Sequence, residues 1–142
     1  MTTLLLALPG MAAAETVSVI DPYVRAMPPG QKVTGAFLSM KNDSDSDRSL
    51  IRAESDAAKN VELHEHTHKD GMMQMREVDK IDIAKGATTA LEPGGLHIML
   101  IGLTRELKVD DIVEIKLTFD DGSEQIVKAP VKKILAGMGM MK

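Results

Sequence analysis

Residues 112–119 read Ile-Val-Glu-Ile-Lys-Leu-Thr-Phe, and from Val113 onward apolar and polar side chains alternate without a break. A period of two is the mark of a strand with one buried face. Asp120-Asp121-Gly122-Ser123 follows, and Asp-Gly is among the strongest short hairpin signals. Ile126 and Val127 then begin a return strand. Earlier in the chain Val17-Ser18-Val19-Ile20 alternates in part and is broken by Asp21-Pro22. Pro28-Pro29-Gly30 is a loop. Gly35 to Met40 places Ala36, Leu38 and Met40 on one face. Leu50-Ile51, Val61 to His68, and Leu96 to Leu100 after Pro93-Gly94-Gly95 complete the set. No window of a dozen residues holds a 3.6-residue period. Short strands with turn signals every ~8–12 residues predict an all-β sandwich or barrel. At 142 residues the chain is expected to form a single domain.

Composition narrows the function classes. A formal net charge of −4 argues against nucleic acid or an anionic membrane as the main partner. Tyr23, Phe37 and Phe119 are the only aromatic residues, too few for a base-stacking platform. The absence of cysteine removes disulfides, thiolate zinc sites, iron–sulfur clusters and thiol nucleophiles. Nothing approaches the ~20 apolar residues of a membrane span. There is no phosphate-binding glycine loop, nucleophile elbow or HExxH. Asp43, Asp45, Asp47 and Glu54 fall at EF-hand positions one, three, five and twelve. Arg48 stands where the loop needs glycine, so this stretch reads as a solvated turn.

The two ends differ from the body. Leu4 to Leu8 is apolar, and Ala12 and Ala14 occupy positions −3 and −1 of an A-x-A site before Glu15. Residues 1–14 are therefore expected to be a residual signal-peptide-like leader, truncated at its N-terminus. The expected β domain spans 15–136. Residues 137–142, with Met138, Met140 and Met141, are expected to be a flexible Met-rich tail.

All four histidines fall in two places. His64, His66 and His68 alternate along one strand and share a face, with Val61 and Leu63 on the other. Asp70-Gly71 follows, then Met72, Met73, Gln74 and Met75. A turn at Asp70-Gly71 sets His66 opposite Met75 and His68 opposite Met73. A turn at Lys69-Asp70 sets His64 opposite Met75. Both registers put these His and Met side chains on one face. In Leu96 to Leu100, His97 and Met99 share one face and the three apolar residues the other. His64, Met75, His97 and Met99 thus form a convergent set. Thioether sulfur favours Cu(I) and offers little to zinc, magnesium or calcium, whereas imidazole suits copper and zinc alike. Two His and two Met carry no negative charge, which suits a monovalent cation. Only the histidines need deprotonation, so thioether binding persists at mildly acidic pH. A site without cysteine is not lost to disulfides in an oxidising compartment. These properties together point to Cu(I) handled outside the cytoplasm. Met40 reads as core, and Met27 has no assigned place.

His64, ten residues, Met75, twenty-one residues, His97, one residue, Met99 is the pattern H-x10-M-x21-H-x-M. It resembles the signature of the periplasmic copper chaperone family PCuAC. The words Val61-Glu62-Leu63-His64-Glu65-His66, Gly71-Met72-Met73-Gln74-Met75-Arg76 and Pro93 to Leu100 are also similar to that family, and the resemblance covers most of residues 16–131. It implies a cupredoxin-like or immunoglobulin-like β-sandwich or barrel with one primary Cu(I) site of two His and two Met at the surface. It implies a periplasmic metallochaperone, not an enzyme, delivering copper to the copper-centre subunit of cytochrome c oxidase, alongside a thiol-containing partner copper chaperone. His66, His68, Met73, Met138, Met140 and Met141 are auxiliary candidates for a second, weaker copper site. Two other readings use the same residues. One is a cupin-like metalloenzyme, for which Asp70 stands where glutamate is wanted, the Pro93 to His97 gap is one residue short, and the methionines have no use. The other is a passive copper or zinc buffer.

Overall fold

The alternating run becomes strand β9 (Ile112–Phe119), and the Asp-Gly turn returns it into β10 (Glu124–Lys132). The computed structural model describes residues 17–133, all strands and loops. The remaining strands are β1 (Val17–Arg25), β2 (Val33–Asn42), β3 (Arg48–Glu54), β4 (Ala58–Lys69), β5 (Met72–Glu77), β6 (Ile81–Ile83), β7 (Thr88–Leu91) and β8 (His97–Leu103). They form one ladder in the order β5-β4-β8-β2-β1-β10-β9-β3-β6, with β7 also pairing β2. The expected all-β, sandwich-type single domain is what the chain forms.

The ladder closes over one core. Ala36, Leu38, Met40, Leu63, Ile98 and Leu100 come from one half, and Leu50, Ile81, Val113, Ile115, Leu117 and Phe119 from the other. The alternation that predicted β9 is the reason: Val113, Ile115, Leu117 and Phe119 all point inward and are fully buried. Pairing is antiparallel throughout, except where the end of β1 runs parallel to β10, Val24 opposite Val131. That contact joins the two halves.

One boundary differs from the sequence expectation. Asp21-Pro22 does not end β1. The register against β2 slips between Ile20 and Tyr23, and Asp21 takes a left-handed φ of 49°. A bulge absorbs the residue that lacks an N–H, and the strand continues. The acidic loop after β2 is tied up locally. Asp47 accepts the Lys85 N–H, while Asp43 accepts the Ser18 hydroxyl and pairs with Lys41. Leader residues 1–14 and tail residues 137–142 lie outside the described residues.

Phe119→Ala removes a fully buried ring from this core. It is expected to lower unfolding free energy by about 3–5 kcal/mol in denaturant titration. Ile126→Ala, at an exposed position, should change it by no more than about 0.5 kcal/mol.

Candidate metal site

In the antiparallel register of β4 and β8, His64 lies directly opposite His97, and Glu62 directly opposite Met99. Such opposed residues project to the same face. His66, two residues along β4, shares it. Leu63 and Ile98 occupy the other face and are buried in the core. The β4–β5 hairpin adds Met75, opposite His66 and diagonal to His64. Its turn is Asp70-Gly71, both left-handed, with φ of 56° and 79°. That is the geometry of a two-residue hairpin loop whose twist matches its strands. Three strands therefore deliver His64, His66, Met75, His97 and Met99 to the side of the sheet facing away from the core.

The imidazoles stand close together. The ring centres of His66 and His97 are 5.2 Å apart, and those of His64 and His97 are 5.7 Å apart. On the other flank of His97 lies Phe37, 6.2 Å between centres, backed in turn by Tyr23 at 5.2 Å. Gly35 makes this arrangement fit. A Cβ there would meet Phe37 Cζ at 3.1 Å, so the ring lies over a position that carries no side chain. Gly35 is also the residue directly opposite Met99. The result is a histidine on the outer face that is only 4% exposed. Met75, on the terminal strand of the ladder, is 46% exposed. Met75, His97 and Met99 line one cavity of about 180 Å³, together with Met27, Arg25 and Phe37.

Hydrogen bonds decide which ring nitrogens are free. His97 Nδ1 donates to the Gly95 carbonyl at 3.1 Å, which leaves the lone pair on Nε2. His64 Nε2 donates to Glu62 Oε1 at 2.8 Å, which leaves the lone pair on Nδ1. That Nδ1 is buried without a hydrogen-bond partner, and so is His66 Nδ1. A buried nitrogen left unsatisfied is unfavourable and calls for an occupant. One nitrogen tied to a carbonyl or carboxylate and the other left free is how ligating histidines are oriented. Burial holds His97 below the usual imidazole range, against the pull of the Gly95 hydrogen bond and with the adjacent His66 and His64 adding to the depression. Its lone pair therefore survives to lower pH than that of a free histidine.

Among the described residues, no three His, Asp or Glu side chains are placed to hold a metal ion by themselves. The thioethers of Met75 and Met99 are the further donors on this face. All four residues of the H-x10-M-x21-H-x-M pattern are on it. His68 and Met73 are opposite each other in the hairpin, but their side chains lie outside what is described, as do Met138, Met140 and Met141 altogether. Sequence reasoning missed three neighbours of the site. Glu62 was legible in principle, since it lies two residues from His64 on the same face. Phe37 and Met27 reach the site through pairings and a loop that no local pattern encodes.

A family model described as putative lipoprotein LpqE-like matches residues 17–131. A putative lipoprotein of Leifsonia xyli subsp. xyli is 38% identical over 120 residues, covering 84% of this chain and 71% of that protein. The solution structure of Cu(I)-DR1885 from Deinococcus radiodurans is 36% identical, with a TM-score of 0.69 over 87% of this chain and 85% of that one. The copper-bound PCuAC domain from PmoF2 has the same fold at 21% identity, with a TM-score of 0.71 over 84% of this chain and 94% of that one.

In a pH titration of the metal-free protein followed by imidazole NMR, the His97 midpoint is expected below the ~6.5 of an unperturbed histidine. A midpoint at or above that value would contradict the burial of the ring as the dominant influence on it.

Proposed function

The chain belongs to the LpqE-like family, that of the PCuAC domains, and on that footing we propose that it is an exported copper(I) metallochaperone with a primary site of His64, Met75, His97 and Met99. What carries the proposal is His97: a buried ring with its proton pinned on Gly95, its free nitrogen on a face shared with two thioethers and a second oriented imidazole. The relative named Cu(I)-DR1885 supports both the metal and its oxidation state.

Cu(I) is the cargo. Two imidazoles and two thioethers bind it without charge, and the donor softness selects it over zinc or calcium. The Glu62 carboxylate behind His64 orients that ring and places a counter-charge one residue away from the metal. Handover follows from unequal anchoring. His97 and Met99 sit on β8, an internal strand of the ladder, whereas Met75 sits on β5, which among the described residues has β4 as its one neighbour. An incoming ligand displaces the exposed Met75 first, while the β8 pair holds the ion until exchange is complete.

The description of the family and of the Leifsonia xyli relative as putative lipoproteins supports export; on this reading residues 1–14 act as a leader and 15–136 as the copper-binding domain. We place the protein in the periplasm, with the copper-centre subunit of cytochrome c oxidase as acceptor and a thiol-containing copper chaperone as co-worker. His66, His68, Met73 and the tail methionines supply a second, weaker site. A passive buffer would use the same donors, so transfer is what separates the two.

In competition titration the protein is expected to bind one Cu(I) tightly. His97→Ala and Met99→Ala should each weaken binding by at least ~10-fold, as even outer-shell changes do at metal sites. Full affinity in Met75→Ala/Met99→Ala would sink the thioether site. Mixing the Cu(I) form with an apo oxidase copper domain should move the metal to it; retention would instead indicate a buffer.

A further inference from the structure

Met27 has no place in the H-x10-M-x21-H-x-M pattern, yet it lines the cavity shared by Met75, His97 and Met99. It stands two residues beyond the end of β1, held there by the Ala26 N–H, which donates to the Lys132 carbonyl at 2.8 Å. It is half-buried, not exposed as a loop methionine would ordinarily be. The same side chain also lines a second cavity, of about 250 Å³, running along Pro28-Pro29-Gly30 to Arg105. With Arg25 and Thr34, Met27 therefore lies between the copper pocket and the adjoining groove. Core filling does not account for it, because it is absent from the buried cluster and from the apolar residues packed against that cluster.

We propose that Met27 is a third thioether of the copper pocket, a reserve ligand that takes Cu(I) when Met75 is displaced. This rests on the metallochaperone reading above and extends its ligand set. The chemistry is ligand exchange only: a Cu–S bond to Met27 forms as the one to Met75 breaks, and copper stays Cu(I) throughout. The geometry supplies the reason for a reserve. Met75 is on a terminal strand and nearly half exposed, so it is the donor an acceptor reaches first. When Met75 swings away before an acceptor's donor has bound, His97, Met99 and His64 would hold the ion unaided. A thioether on the groove side keeps the ion four-coordinate and draws it toward that opening.

The test is a double-mutant cycle on the full chain with Cu(I) as the probe. Leucine nearly conserves methionine's volume while removing sulfur, and both positions are away from the core. Met27→Leu alone is expected to change affinity little. Met75→Leu should weaken binding, and Met27→Leu/Met75→Leu should lose at least ~10-fold more than the product of the two single losses. The Met27 methyl NMR signal of the Met75→Leu variant should also move on addition of one equivalent of Cu(I). Losses that simply multiply, or an unmoved Met27 methyl, would overturn the proposal. Met99→Leu separates this from failure of the primary site. If it leaves Cu(I) affinity intact, the metallochaperone site itself is wrong; if it weakens binding while the cycle shows no coupling, only the role of Met27 falls.

Discussion

The register of β4 against β8 is the constraint on which the site depends. An antiparallel pair sets opposed residues on one face with Cβ atoms only ~4.5–5.5 Å apart. Here the opposed residues are His64 and His97, with Glu62 and Met99 one pleat away. A slip of one residue would send His64 into the core and Leu63 to the surface. Burial of Leu63 and Ile98 in the core therefore locks the register, and the locked register builds the donor cluster. Core packing and the proposed metal site are two faces of the same strands.

What surrounds the cluster fixes rings rather than merely collecting them. The Gly95 carbonyl sets the proton of His97, Glu62 sets that of His64, and Phe37 occupies the space that Gly35 leaves open. Each contact removes a freedom that a metal bound there would otherwise have to restrict. Site quality of this kind depends on supporting groups as much as on ligands. Arrangement by strand also grades the donors by accessibility, from buried His97 to half-exposed Met75. For a carrier, that gradient gives an order of release.

Much of this was legible in the chain. Period-two alternation and Asp-Gly turns gave β9, β10 and the hairpin of β4 and β5. Shared-face arguments put His64, Met75, His97 and Met99 together under either turn register. The left-handed backbone of Asp70 and Gly71 selects the register that places His66, not His64, opposite Met75. Other features were not legible, for physical reasons. Ile81–Ile83 and Thr88–Leu91 are too short to show a period, and their strand character comes from distant partners in β3 and β2. The bulge at Asp21-Pro22 depends on the register with β2, so a local reading took proline for a strand end. Phe37 lies on the polar face of its strand and is buried only because Gly35, Tyr23 and His97 meet there. Met27 reaches the cavity through the loop after β1, and no spacing rule links it to Met75 or Met99.

Copper K-edge X-ray absorption of the Cu(I)-loaded full chain tests the central claim most directly, because it counts donor atoms without assigning them to a function. Convergence of His64, Met75, His97 and Met99 on one ion predicts sulfur scatterers from thioethers alongside imidazole nitrogen, in about equal number. A shell of nitrogen and oxygen alone would contradict it, and would mean that the methionines on this face are bystanders to a histidine site.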